Sequence, residues 1–317
     1  MKKKILVTGG AGFIGSSIVK KLFDNGYSVV VYDNFQRSEN LKRLSDIKNK
    51  IKIVRGDIRD LKKLRSNLKG IDMVIHLAYV NGTKYFYQRP KEIFDIAIKG
   101  MLNVIDCCKY HNVKEFALFS SSEVYGEPEI IPTPEDVPLK ISNIKNSRFS
   151  YGGGKLCCEL IFQYMCKDIF KKSFTVRPHN VYGPEMGYEH VIPEISTKVS
   201  KLKNNSSLKI QGSGNETRSF IYIDDFVDAF MLVMKNSKHL EIYNIGNDEE
   251  IRILDLVKKI IKILNKKKIK IIKSKIKEGS PQHRTPCIKK IKKIGFKNKY
   301  SLNSGLLKTI EWYKKNV

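Results

Sequence analysis

The chain has no long apolar run. Nothing in its 317 residues approaches the ~20 consecutive apolar residues that a membrane helix needs, so no membrane association is expected. Met1-Lys2-Lys3-Lys4 carries the charge of a signal-peptide start, but only Ile5-Leu6-Val7 follows before Thr8-Gly9-Gly10, too short for the apolar part. Cysteine is sparse. The six cysteines include two adjacent pairs, Cys107-Cys108 and Cys157-Cys158, and no CxxC spacing, so neither a zinc centre nor a disulfide framework is expected. A metal-free protein of the reducing cytoplasm fits this usage. Acidic residues are also few, 32 against 59 Lys and Arg, for a formal net charge of +27. That balance raises nucleic acid as a partner, yet a binding groove needs clustered cations interleaved with aromatics. Here lysine is spread over most amphipathic stretches and thickens only at 258–277 and 289–299. The charge reads as a solvated surface without a nucleic-acid partner, whose field would draw in an anionic small substrate.

What is present is alternation. Short β-branched or aromatic runs at 5–8, 28–32, 51–55, 73–77, 115–120 and 174–177 alternate with amphipathic stretches at 13–25, 61–68, 90–111 and 150–170. Such alternation forms a parallel sheet with helices on both faces. From Pro184 the pattern changes to loops, a helix near 193–204 and a Gly- and Asn-rich stretch at 211–216. Phe220-Ile221-Tyr222 and a helix from Asp224 return to the first unit, and the tail from Ile251 mixes helix and strand. The expected architecture is α/β. A Rossmann-type doubly wound parallel sheet takes residues 1–181 plus 214–245, and a smaller discontinuous substrate unit takes 182–213 plus 246–317.

Glycines at 9, 12 and 15 follow the first strand and open the first helix, with Phe13 and Ile14 between them. Without side chains there, the backbone can approach a pyrophosphate, and the free N–H groups of the helix start point at its charge. The next strand ends at Asp33-Asn34, the offset of an acid that accepts hydrogen bonds from ribose hydroxyls and repels a 2′-phosphate. NAD is therefore expected over NADP, with Arg37 the nearby cation that opposes the choice. Asp57-Ile58 follows the third strand, where an acid can bond the adenine amine.

Tyr151-Gly152-Gly153-Gly154-Lys155 places Tyr and Lys at i and i+4, on one face of a helix. A lysine ammonium one turn away, together with a cationic nicotinamide, lowers a tyrosine from its ordinary value near 10. Tyr151 can then act as base on a sugar hydroxyl. Three successive glycines cost about 1 kcal/mol each against alanine in a helix. That weakness is expected where cofactor or substrate presses on the backbone.

The glycine loop, Asp33, Asp57, His76-Leu77-Ala78, the run from Ser120 to Gly126, Tyr151 with Lys155, Asn180-Val181-Tyr182-Gly183-Pro184 and Arg218 form a set. This set resembles the extended short-chain dehydrogenase/reductase family, specifically its nucleotide-sugar epimerases and dehydratases, over nearly the whole chain. The resemblance implies an NAD-dependent enzyme that oxidises a nucleotide-diphosphate sugar at C4 to a 4-keto intermediate. It puts Leu77 and Ala78 beside the cofactor and Ser121 on the reacting hydroxyl. Arg218 and Arg284 would bind the diphosphate through the planar guanidinium fork, and Asn180 the sugar or a phosphate. A homodimer is implied through the helices at 90–111 and 150–170, which present Met101, Leu102, Ile105, Leu160, Ile161 and Tyr164. One departure stands out: the family usually carries Asn three residues before Gly100, and this chain has Ala97. The contact which that amide helps to make must be met otherwise.

The residues after Ser121 separate the family's reactions. In its 4,6-dehydratases the next two positions are acid and base for removing water across C5 and C6, which gives those roles to Ser122 and Glu123. UDP-glucuronate decarboxylases share Ser-Glu, whereas 4-epimerases resembling UDP-galactose 4-epimerase usually carry uncharged residues there. The run from Gly183 to Pro193 has the spacing of the dehydratase segment over the nucleotide sugar, with Glu189 and with His190 in place of a Lys. The expected order is dehydratase, then 4-epimerase, then decarboxylase. The plain alternative for Glu123 is a loop carboxylate satisfying backbone donors. The remote alternative for the chain is a non-catalytic Rossmann binding protein, which the intact Ser121, Tyr151 and Lys155 argue against.

Overall fold

Strands β1 (Lys4–Thr8), β2 (Ser28–Asp33), β3 (Lys52–Arg55), β4 (Met73–His76), β5 (Glu115–Phe119) and β6 (Lys172–Pro178) fall on the six β-branched or aromatic runs. They belong to a computed structural model that describes residues 2–37, 41–274, 279 and 281–316. With Glu241–Ile245 they form one seven-stranded sheet, in the order Glu241–Ile245, β6, β5, β4, β1, β2, β3. Every pairing in it is parallel. The chain begins mid-sheet, runs to one edge and returns to continue from β4, so the strand order reverses between β1 and β4. A crevice opens outside the strand ends at such a reversal.

Alternation along β1 shows how the sheet is buried. Ile5 and Val7 point into one apolar core with Ile18 and Leu22 of α1 (Phe13–Asp24), while Leu6 points into the other. Both faces are covered, so the central strands are continuous apolar runs rather than half-polar ones. The second core holds α2 (Leu61–Asn67), α3 (Thr83–Gln88), α4 (Pro90–Asp95), α5 (Met101–Tyr110) and α6 (Phe149–Met165). The seventh strand, absent from the sequence reading, carries a fully buried Asn244 that breaks its apolar pattern. That amide is paired: it donates to Thr133 O at 3.0 Å and accepts from the Tyr125 hydroxyl at 2.8 Å.

The single helix expected over 90–111 is instead α4 and α5 joined by a π turn, Ile96–Gly100. Such a turn widens the helix by one residue and often marks a functional site. Two of the side chains expected on a dimer face are not available to a partner. Met101 and Ile105 are buried against the sheet, because that i, i+4 stripe of α5 is its core face. Leu160 and Tyr164 of α6 are exposed, at 47% and 82%.

Beyond the sheet, Thr217–Ser219 pairs antiparallel with Glu250–Arg252 and parallel with His283–Arg284. This strand follows the boundary expected at 214, yet it joins the later segments rather than the large sheet.

A buried ion pair fixes the helix that carries Tyr151. Glu159 of α6 takes two bonds from Arg177 of β6, at 2.9 and 2.7 Å, and the remaining Arg177 nitrogen donates to the Tyr125 hydroxyl and Glu135 O, both at 2.8 Å. Both side chains are at most 5% exposed. Removing one partner strands a buried charge, which typically costs about 3–5 kcal/mol. Glu159→Ala should therefore lose about that much in urea unfolding; a loss below about 1 kcal/mol contradicts the role given to the pair.

Candidate active site

At the reversal between β1 and β4 lies a cleft of about 420 Å³. The start of α1, the ends of β2 and β5, the segment after β4, the first turns of α6 and Arg284 line it. Of the residues singled out from sequence, all but Arg218 border this one space: Gly9, Gly12, Phe13, Ile14, Gly15, Asp33, Asn34, Asp57, Ile58, Leu77, Ala78, Ser121, Ser122, Glu123, Tyr151, Lys155, Asn180, Glu189, His190 and Arg284.

The end of the cleft at the start of α1 is bare backbone. Gly9 has φ +70°, and a Cβ on it would lie 2.8 Å from Ala78 Cα; a Cβ on Gly15 would lie 2.2 Å from Gly9 O. No side chain caps α1 at Gly12, so its first N–H groups stay available to an anion. Asp33 accepts hydrogen bonds from Ala11 N at 3.0 Å and Phe35 N at 2.8 Å, which orient the carboxylate at the end of β2. Arg37 is engaged elsewhere, with Asn81 O and with Glu189 at 3.5 Å, and so does not supply a 2′-phosphate pocket beside Asp33. Asp57 is held by Arg59 at 2.8 Å and by Asn34 at 3.2 Å; the Arg59 bond is the largest cause of its low pKa of about 2. These features fit a dinucleotide with a free 2′-hydroxyl.

At the other end Tyr151 stacks on Phe86, with centroids 4.6 Å apart, and meets Tyr79 edge-on at 5.1 Å. Burial pushes its phenol up to about 12, against a smaller lowering by the Ser121 hydroxyl. Lys155 donates to Phe119 O at 2.6 Å and lies 4.0 Å from the Tyr79 ring centroid. Burial lowers its pKa to about 8. Tyr151 is thus protonated at neutral pH in the free protein, and further positive charge is needed to activate it.

The glycine run also has a packing role within the protein. A Cβ on Gly152 would lie 3.0 Å from Glu123 O, and one on Gly154 only 2.2 Å from the Tyr79 hydroxyl. The protein's own packing thus already crowds a side chain at Gly152 and leaves no room for one at Gly154 without moving Tyr79. Gly153 has only ordinary contacts at 3.8 Å and beyond.

Ser121 caps a short turn, Ser122–Tyr125, and its hydroxyl accepts from Glu123 N at 3.2 Å. Ser122 is buried beside it. The Glu123 carboxylate is paired with guanidinium groups rather than with backbone donors: Arg284 bonds it at 2.8 Å and Arg148 at 3.3 Å. Burial alone would raise its pKa, but Arg284 and then Arg148 hold it at about 2. Sequence reasoning missed Arg148. It lies one helical turn before Tyr151, and no motif marks it. Among the described residues, Nη2 of Arg284 is buried without a hydrogen-bond partner.

The remaining substrate candidates differ in availability. Arg218 is absent from the cleft lining because its guanidinium is used internally, donating to Thr217 O, Pro281 O and Gln282 O at 2.7, 2.8 and 3.2 Å. Asn180 donates to Ser219 O at 2.9 Å. Glu189 accepts from the Tyr85 hydroxyl at 3.3 Å. His190 is kept neutral at about 4 by burial, with Arg37 adding to the shift.

The clamp on Glu123 makes a pH-dependent contribution. Its folded pKa lies below the ordinary 4.5, so the stabilisation is complete above that value and is lost as pH falls towards 2. Glu123→Gln should be less stable than the native protein by about 2 kcal/mol at neutral pH. In urea titrations that difference should shrink across this acidic window; a constant difference contradicts the ion-pair account.

The comparisons agree with this geometry. The profile of the NAD dependent epimerase/dehydratase family matches residues 5–246. Bovine dTDP-D-glucose 4,6-dehydratase is 31% identical, over 99% of this chain and 89% of its own length. Its human counterpart is 31% identical over 99% and 91%. Among solved structures, a UDP-glucose 4-epimerase of Thermotoga maritima with UDP-glucose superposes with a TM-score of 0.87, at 28% identity and 99% coverage of both chains. A dTDP-glucose 4,6-dehydratase of Streptomyces venezuelae with NAD bound gives 0.88, at 26% identity, covering 99% of this chain and 97% of that one. Matched by that profile over most of its length and by relatives over nearly all of it, the chain belongs to the NAD dependent epimerase/dehydratase family of enzymes.

Proposed function

We propose that the enzyme is a nucleotide-sugar 4,6-dehydratase acting through a 4-keto intermediate. The observation that carries this reading is Glu123, a carboxylate inside the cleft, two residues from Ser121 and packed against the first turn of the Tyr151 helix. In this reading the α1 N-terminus and Gly9, Gly12 and Gly15 hold the dinucleotide's phosphates, with Phe13 and Ile14 beside them. Asp33 and Asn34 hold the adenosine ribose, Asp57 and Ile58 border the adenine, and Leu77, Ala78 and Lys155 hold the nicotinamide half. The cofactor supplies hydride acceptance from the sugar's C4 and later returns the hydride. Tyr151 takes the O4 proton while Ser121 bonds the same oxygen.

The C4 carbonyl acidifies the C5 proton, which Glu123 removes; the C6 hydroxyl takes a proton through Ser122 and leaves as water, and the hydride would then return to C6 while Glu123 gives a proton back to C5. A base held at about 2 is weak, so Glu123 must be released when substrate binds. Nη2 of Arg284, without a partner among the described residues, is the group to draw on: a diphosphate that engages Arg284 loosens the clamp and raises the basicity of Glu123. Asn180, Glu189 and His190 complete the substrate wall. Arg218 acts one step back, pinning the 281–284 segment that carries Arg284.

Nucleotide-sugar 4-epimerisation is the second reading, and the clamp is also what favours it: a Glu123 that never leaves its arginines is structural. Glu123→Gln separates the two. It should still oxidise a nucleotide sugar and accumulate bound NADH, absorbing near 340 nm, while water release falls about 10²–10⁴-fold. Tyr151→Phe should form no NADH. Turnover of Glu123→Gln at the native rate, with sugar mass unchanged, establishes the epimerase.

Residues 1–181 plus 214–245 are assigned to cofactor binding and 182–213 plus 246–317 to the nucleotide sugar, in a cytoplasmic homodimer. Exposed Leu160 and Tyr164 on α6 support the dimer. Light scattering at micromolar concentration should give twice the chain mass, and Tyr164→Glu should shift it to the monomer.

A further inference from the structure

Ala97 stands where the resemblance leads one to expect an asparagine, and the structure shows what fills the neighbourhood. A Cβ on Gly154 would lie 2.2 Å from the Tyr79 hydroxyl and 3.0 Å from Ala97 Cβ. Small residues at both positions therefore leave room for the large ring of Tyr79, whose hydroxyl is buried without a partner among the described residues. That hydroxyl gains nothing by its placement. The ring does: one face lies 4.0 Å from Lys155 Nζ, and its edge contacts Tyr151 at 5.1 Å. Among the described residues the ammonium has one hydrogen bond, to Phe119 O at 2.6 Å. A buried cation with one acceptor is under-satisfied, and an aromatic face offers the missing electrostatic attraction, which strengthens on desolvation. The carbonyl of Ala97 is itself turned to α6, accepting from the Cys158 thiol at 3.4 Å.

We propose that Tyr79 is a positioning residue for the cofactor site: its ring seats the Lys155 ammonium, in a space that Ala97 and Gly154 leave open. The proposal rests on the reading of Lys155 as a cofactor-holding cation. Its consequence is a charged lysine held at one depth in the cleft, ready for a ribose hydroxyl, and a Tyr151 ring fixed between Phe86 and Tyr79.

The groups facing Lys155 allow a clean test. On α6 these are Tyr151 and Cys158, pushed by burial to about 12 and about 11, and Glu159, which is tied to Arg177. On β4 burial keeps His76 neutral, at about 3, with Lys155 adding to the shift, and burial holds Tyr79 itself well above its ordinary value. Among these, Lys155 is the group that changes charge between neutral and mildly alkaline pH.

NAD binding to the full-length protein is measured by calorimetry across that range, with melting temperature recorded for each variant. Tyr79→Leu should weaken NAD about tenfold and move the alkaline limb of the affinity down by about one pH unit, because losing the ring disfavours the charged lysine. Tyr79→Phe should recover most of both. Tyr79→Met, an unbranched side chain without a ring, should behave as Leu and serves if the Leu variant fails to fold. Native affinity and an unmoved limb in Leu or Met overturn the proposal. So does a Phe variant as impaired as Leu, which would assign the effect to the hydroxyl. Lys155→Met binding NAD as the native protein does would instead overturn the reading of Lys155 itself.

Discussion

Glu123 sits in low dielectric between two guanidinium groups, and much of the cleft is arranged around that one electrostatic fact. Burial disfavours the carboxylate's charge, and Arg284 and Arg148 overcome the penalty. The arginines come from distant parts of the chain, one just before Tyr151 and one near the C-terminus, so the pair also ties the Tyr151 helix to the 281–284 segment. Arg218 lies close enough that Arg284 and Arg148, after burial, depress its own pKa to about 10. Among the described residues, three guanidinium groups here face the Glu123 carboxylate, and Nη2 of Arg284 lacks an acceptor. Such a corner attracts a diphosphate and, in the proposed reaction, exchanges a carboxylate partner for a phosphate one.

Rigidity behind this corner comes from α6. Glu159 anchors the helix to β6 through Arg177, Gly152 lets it press on the backbone of Glu123, and Gly154 lets it close over Tyr79. Tyr151, Lys155 and Glu123 are held by packing that a single methyl group would disturb. The intrinsic helix weakness of three glycines is offset by the contacts they permit.

The sheet was legible in the sequence because each of its first six strands is a short apolar run, and four of them are followed by a helix-period stretch. The seventh was not, because Asn244 interrupts its short apolar run and looks like loop until Tyr125 and Thr133 are seen to pair with the buried amide. The phosphate cradle was equally legible, since strand, glycines and helix are contiguous. Arg148 and Tyr79 were invisible for the opposite reason: their roles exist only through residues far along the chain. Arg218 shows the converse case. A motif placed it at the diphosphate, but three backbone carbonyls had claimed its donors. The π turn at Ile96–Gly100 leaves no mark on apolar periodicity, since one inserted residue shifts the phase without breaking it.

The central claim is that Glu123 removes a carbon-bound proton within a cleft that also oxidises C4. It is tested most directly by giving the native enzyme NAD and a panel of UDP-, dTDP-, GDP- and CDP-hexoses in deuterated water, then reading mass and NMR of the products. The account predicts, for one of them, a product lighter by one water and carrying a single solvent deuterium at C5. A product of unchanged mass with inverted C4 couplings and no deuterium would contradict it.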